Sequence, residues 1–336
     1  MLFAGTAGAL MLGMSAIILV SPREPPAAQI NLGVFEPARG RIVYRFGSHL
    51  EAVDPVDFSS SAVVASGDLG LDTRVANFSA DGARLALDDS DGLYILEASG
   101  LLKRLPIEQL SLWRDFMPSP WLSPDGTEGL VPEETDQGDP ALSVLDLQDP
   151  RESRSVELQP PAAGGRAHNP EMPAWSPDGT LAAYRCACDD VNPLDTGVEV
   201  ADLSSGSTRV LTSGWRVIRQ LVWSPDGSRL LMVASRKPPE PLRFSNELAR
   251  PQPSGLVVVD VDDGDVHEIA TGHYVAAAWS PDGTQVAAID FPGERAVVMV
   301  NADGSGGPQV VAKVATQHAR GGAMSTGVAW HPIPPP

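Results

Sequence analysis

Cysteine is nearly absent from this chain of 336 residues. There are two, Cys186 and Cys188, separated by one residue. No second pair exists to complete a four-ligand zinc site, so structural zinc is excluded as the organising principle. A Cys-x-Cys disulfide and two reduced thiols both remain open. Lysine is scarce as well, with three (Lys103, Lys237, Lys313) among 24 basic residues against 43 acidic ones. The net charge of −19 leaves no cationic footprint for nucleic acid or anionic lipid. No G-x-S-x-G nucleophile motif is present. The chain stops six residues after Trp330, so within this sequence no peptidase domain follows. No single-sign charge blocks or polar low-complexity tracts occur.

The first 20 residues lack any charged side chain. A helix of that length rises about 30 Å, one bilayer core. A basic region ahead of the apolar run, the usual mark of a cleaved signal peptide, is also missing. Residues 1–28 are therefore expected to be a membrane anchor or signal peptide with a proline-rich linker. Either places residues 29–336 outside the cytoplasm, in the periplasm or at the cell surface. Orientation is not set, because Arg23 is followed at once by Glu24.

What the chain has in abundance is Gly (32) and Pro (31), placed at intervals. Trp-Ser-Pro-Asp-Gly occurs at 175–179, 223–227 and 279–283, with Trp-Leu-Ser-Pro-Asp-Gly at 121–126 and Phe-Ser-Ala-Asp-Gly at 78–82. Ser-Pro-Asp-Gly suits a type I turn followed by a left-handed glycine. Short apolar runs flank it, so each copy predicts two strands joined by a tight turn. The aromatics Phe78, Trp121, Trp175, Trp223, Trp279 and Trp330 are 43, 54, 48, 56 and 51 residues apart. A second hairpin follows each. Four short strands per unit at that period predict a β-propeller. Calling the strands of a unit A to D, with A ending at the aromatic, the last A strand ("GVAW") has no B strand after it. The first B-like strand ("RIVYRF") has no A strand before it. Pairing them gives six blades closed by the two ends of the chain, an all-β fold preceded by the hydrophobic helix. The copy at 121 departs most: Leu122 is inserted, and Gly129 and Pro132 are expected to break its B strand.

These repeats resemble the Pro-Asp propeller repeats of the TolB family over about residues 30–336. The resemblance implies fold more than function, since similar repeats occur in the propellers of prolyl-oligopeptidase-type peptidases and in oligogalacturonate lyases. The motif itself is expected to build hairpins: the aromatic fills space between blades, and Asp accepts from local amides. The acidic strings 87–94 and 259–268 miss the calcium-loop spacing and fall at turns.

The D-to-A loops gather on one face of such a fold. They carry Arg74, Arg114, Arg166, Arg216, Arg219 and Arg320 against Asp68, Asp72, Glu108, Asp115 and Glu171, near +1 on a chain of −19. Arg114, His168, Trp215, Arg216, His273, Tyr274, His318 and Arg320 are the expected contact residues, because Arg with Trp and Tyr is the composition of binding hot spots. The partner is expected to be a protein or peptide, in a membrane-associated complex if the anchor is kept. No catalytic residue, resident metal or cofactor is expected. The alternatives are a metal-dependent lyase or hydrolase, with His168, His273, His318 and Glu171 on a divalent ion, and the sensor domain of a signalling protein.

Overall fold

The computed structural model describes residues 35–46, 49–64, 73–89, 92–105, 120–135, 137–161, 167–187, 195–237, 254–291, 295–313 and 327–332, excepting the side chains of 36, 37, 46, 64 and 150. The expected anchor and its linker lie outside them. Among the described residues no helix is long and apolar enough to cross a membrane.

Six antiparallel sheets form the blades. Blade 1 holds β1 (Ile42–Phe46), β2 (His49–Val53) and β3 (Ser60–Val64) as its B, C and D strands. Blade 2 is β4 (Arg74–Phe78), β5 (Arg84–Asp89), β6 (Gly92–Glu97) and β7 (Leu102–Arg104). Blade 3 has β8 (Glu128–Glu134), β9 (Pro140–Asp146) and β10 (Arg154–Glu157). Blade 4 is β11 (Glu171–Trp175), β12 (Leu181–Cys186), β13 (Thr196–Asp202) and β14 (Thr208–Trp215). Blade 5 is β15 (Val217–Trp223), β16 (Arg229–Ser235), β17 (Gly255–Asp260) and β18 (Val266–Ala270). Blade 6 is β19 (Tyr274–Trp279), β20 (Gln285–Asp290), β21 (Ala296–Asn301) and β22 (Gln309–Lys313). The chain then returns to blade 1, where β23 (Val328–Trp330) supplies the missing A strand.

Closure takes the expected form. Ile42 pairs with Trp330, Val43 with Ala329 and Tyr44 with Val328. His331 N–H donates to Arg41 O at 2.9 Å, and the Trp330 indole donates to Gly40 O at 2.9 Å. The His331 ring stands edge-on to Phe78 of blade 2, with centroids 4.8 Å apart. Gly82 is needed there twice over. Its φ is +69°, and a Cβ would lie 2.5 Å from His331 Cε1.

The apolar runs are continuous because both faces of each blade are buried. In β16, Leu230, Met232 and Ala234 pack toward blade 4, whereas Leu231 and Val233 pack toward blade 6. In β20, Val286 and Ala288 face blade 5, and Ala287 and Ile289 face blade 1. The strand period of two sorts one run into two cores. Six hydrophobic clusters result, one at each blade-to-blade seam.

The recurring turn is one hydrogen-bonded unit. Ser224 Oγ–H donates to Asp226 Oδ1 (2.6 Å), Ser228 N–H donates to the same oxygen (3.1 Å), and Arg229 N–H donates to Ser224 Oγ (2.9 Å). The set repeats at Ser79, Ser123, Ser176 and Ser280. Asp125, Asp178, Asp226 and Asp282 have lowered pKa values, chiefly because the Ser hydroxyl bonds the carboxylate.

Blade 3 differs from expectation in one respect. Its B strand runs unbroken through Gly129 and Pro132, in register with β9. Among the described residues the inner edge of β8 bonds the A segment near residues 121–130, through Leu130 N–H to Trp121 O and the Leu122–Gly129 bridge. Leu130 turns its N–H away from β9, and so does position 132 two residues on, so the β8–β9 ladder loses no bond to the proline.

Candidate functional site

The motif puts an aromatic at the last position of each innermost strand, next to the Pro that opens the turn. Six such strand ends converge. Phe78, Leu122, Trp175, Trp223, Trp279 and Trp330 line one cavity of about 360 Å³ together with Pro124, Pro177, Pro225, Pro281 and Pro332. Every blade contributes, so the cavity lies on the propeller axis, at the end where the A–B turns sit. The walls above the rings are small: Ala76, Ala277, Ala278 and Ala329, with Val222 and Asn77 half-buried.

The indoles are held by one repeated bond. Trp175 Nε1–H donates to Trp121 O, Trp223 to Ala174 O and Trp279 to Val222 O, each at 3.0 Å and each one blade back. The acceptor precedes the aromatic position of the earlier blade. In blade 3 that acceptor is Trp121, and Leu122 adjoins the Ser as Trp does elsewhere. Trp121 is fully buried, and among the described residues its Nε1 has no hydrogen-bond partner. At the seam of blades 2 and 3, Asn77 Nδ2–H donates to Leu122 O (2.9 Å) and Leu122 N–H to Asn77 Oδ1 (3.2 Å). Because Trp175, Trp223, Trp279 and Trp330 all spend their indole donors on backbone carbonyls, the cavity wall is mainly apolar.

Of the contact residues expected from sequence, Arg114, His318 and Arg320 lie outside the described residues, as do Arg166 and Trp113. Arg216 pairs with Asp195 at 2.8 Å. Trp215 is buried, donates to Thr212 Oγ1 (3.1 Å) and carries the Arg236 guanidinium 4.3 Å above its ring. It lines a second cavity of about 410 Å³ with Arg236, Lys237, Ser254, Glu268 and Gly272. His273 meets Ser254 in a backbone bridge. Tyr274 is buried beside it, its phenol pKa pushed up to about 12 by burial and then by Asp290.

His168 belongs to a buried network instead of an open face. Its Nδ1–H donates to Glu199 Oε1 (2.9 Å), and Tyr184 O–H donates to Glu199 Oε2 (2.7 Å). Glu199 is wholly buried. Burial, then the Glu199 charge, drives the Tyr184 pKa far up. Blade 1 repeats the device with His49, Glu51 and Tyr44. Glu171, the fourth ligand of the metal alternative, pairs with Arg185. Among the described residues no group of three His, Cys, Asp or Glu could hold a metal ion. Cys186 is disulfide-bonded, and Cys188 lies outside the described residues. The acidic strings serve their turns: Asp89 Oδ1 accepts from Gly92 N–H (3.0 Å) and Asp260 Oδ1 from Asp262 N–H (2.9 Å).

No family model and no curated protein matches the sequence. Solved structures do match the fold. TolB from Acinetobacter baumannii superposes with a TM-score of 0.59 at 18% identity, over 87% of this chain and 67% of that one. A protein assigned as TolB from Agrobacterium tumefaciens gives 0.54 at 19% identity, over 82% and 89%. The chain is a six-bladed β-propeller structurally similar to TolB propeller domains. In this TolB-like propeller the aromatic ring was legible as repeat spacing, but the cavity was not. The signal lay in the motif itself, since the residues that end the innermost strands, aromatic in five of the six blades, converge on the axis. Loop composition drew attention to the other end.

Proposed function

We propose that this TolB-like propeller is a non-enzymatic, extracytoplasmic binding module. Its ligand is an apolar or aromatic segment of a protein or peptide, which inserts into the axial cavity. The cavity carries this reading. Its volume of about 360 Å³ falls in the range of small-ligand sites. The indoles are fixed by their own hydrogen bonds, so binding orders little that is not already ordered. With few free donors in the wall, an apolar side chain enters at least cost in unpaired polar groups. The charge-free first 20 residues support export or tethering, and the net charge of −19 argues against nucleic acid as partner.

Selection of short peptides on the purified propeller tests this. The selected peptides should be rich in apolar and aromatic side chains. They should bind a Val222→Glu variant at least tenfold more weakly, with its melting temperature little changed, because Val222 is half-buried in the wall. Peptides that bind both proteins equally would place the site elsewhere.

A further inference from the structure

Four residues before the aromatic, the innermost strands carry Arg74 in blade 2, Glu171 in blade 4, Arg219 in blade 5 and Val275 in blade 6. The B-strand position six residues after the turn glycine holds Asp88, Arg185, Val233 and Ile289 respectively. The two positions pair in blades 2 and 4. Arg74 Nε–H bonds Asp88 Oδ1 at 2.6 Å, and Glu171 pairs with Arg185 in the reverse polarity; in blade 6 a bulge skips Val275, which is apolar, and Ile289 faces Ala276. Blade 5 differs from both patterns: Arg219 is charged, as in blades 2 and 4, but it is skipped by the register, as in blade 6, and Val233 faces Gln220.

Arg219 is also the bulged residue of β15. The register passes from Ile218–Ala234 to Gln220–Val233, leaving Arg219 opposite nothing. Such bulges re-aim a side chain. Arg219 is half-buried, and its Nε is enclosed with no hydrogen-bond partner. No hydrogen bond or ion pair of its guanidinium is found among the described residues. Burial lowers its pKa, as expected of a cation that has lost water and gained no counter-charge. An enclosed donor without a partner is costly to the fold.

We propose that Arg219 is the anchor of an anion site distinct from the aromatic cavity, taking a carboxylate or phosphate oxyanion of a ligand. The site lies about 13 Å up the strand from the aromatic ring, toward the D–A end of the axis. The planar guanidinium suits two-point contact with either oxyanion. Arg216, three residues away, is already neutralised by Asp195 and serves as the control.

The test is thermal melting of the purified propeller titrated with acetate or inorganic phosphate, at ionic strength held constant with chloride. The wild type should gain melting temperature with at least one probe. Acetate alone marks a carboxylate site and phosphate alone a phosphate site. Arg219→Leu should melt at or above the wild type without ligand and bind the active probe at least tenfold more weakly. Arg216→Leu should keep the response. A wild type unresponsive to both probes, an equal response in Arg219→Leu, or an Arg219→Leu protein that melts below the wild type would each overturn the proposal.

Discussion

The indole of Trp223 donates its N–H to the carbonyl of Ala174, 3.0 Å away and one blade back around the ring. With its counterparts at Trp175 and Trp279, this bond ties neighbouring innermost strands together and faces the rings onto the axis. The one contact thus serves assembly and shapes the cavity.

Replacing Trp223 by Phe keeps much of the ring and removes the donor. The Ala174 carbonyl keeps its ladder place opposite Ala183 and loses its second donor, so the cost is the net worth of one hydrogen bond, about 0.5–1.5 kcal/mol. Urea unfolding should show that loss, and Phe at Trp215, whose donor stays within its own blade, should not loosen the cavity.

Asp226→Ala removes the acceptor for the Ser224 hydroxyl and the Ser228 amide, for an expected loss of about 1–2 kcal/mol at neutral pH. The pH dependence has a definite sign. The folded-state pKa values of Asp125, Asp178, Asp226 and Asp282 are depressed below the ordinary aspartate value of about 3.9. Their contribution is therefore full above that value and is lost as pH falls through the folded-state values. Denaturation at pH 7 and pH 2 should show the gap between wild type and Asp226→Ala narrowing in acid. A gap of constant size would mean the carboxylate charge is irrelevant to the turn.

Glu199 is buried between His168 and Tyr184. Glu199→Ala strands both partners and should cost roughly 3–5 kcal/mol, the scale of a broken buried pair. Tyr184→Phe removes one donor and should cost about 1 kcal/mol. A double-mutant cycle between the two should give a coupling energy well above the scatter of additivity, about 0.5 kcal/mol.

The blade count, the closing strand and the turn chemistry were legible because each rests on local signals: apolar runs of strand length, Pro and Gly in fixed order, and an aromatic at a steady period. The sites were less so. His168 looked like a loop residue, but its partner Glu199 is 31 positions away on a C strand, in a run ("GVEVAD") whose alternation reads equally well with Glu exposed. Arg219 looked like one of six loop arginines. Only the register of β15 against β16 shows that Arg219 is skipped, with no residue opposite it where Arg74 meets Asp88 in blade 2. Pro132 was expected to break a strand, and it does not because its nitrogen lies on the side of β8 away from β9, so the β8–β9 ladder loses no bond.

Deleting residues 327–336 should remove β23, the Trp330–Gly40 bond and the His331 contact with Phe78. The edge of β1 would be exposed. The truncated propeller should melt at least several degrees lower and self-associate in analytical ultracentrifugation. A truncated form that stays monomeric and melts like the full chain would mean closure does not depend on β23.

The binding account is tested most directly by the indole N–H resonances of the ¹⁵N-labelled propeller as a selected apolar peptide is added. The four indoles of the axial ring, Trp175, Trp223, Trp279 and Trp330, should shift together and saturate at one peptide per propeller, while Trp215 and Trp121 stay in place. Saturable binding that moves Trp215 and leaves the four ring indoles unmoved would contradict the account.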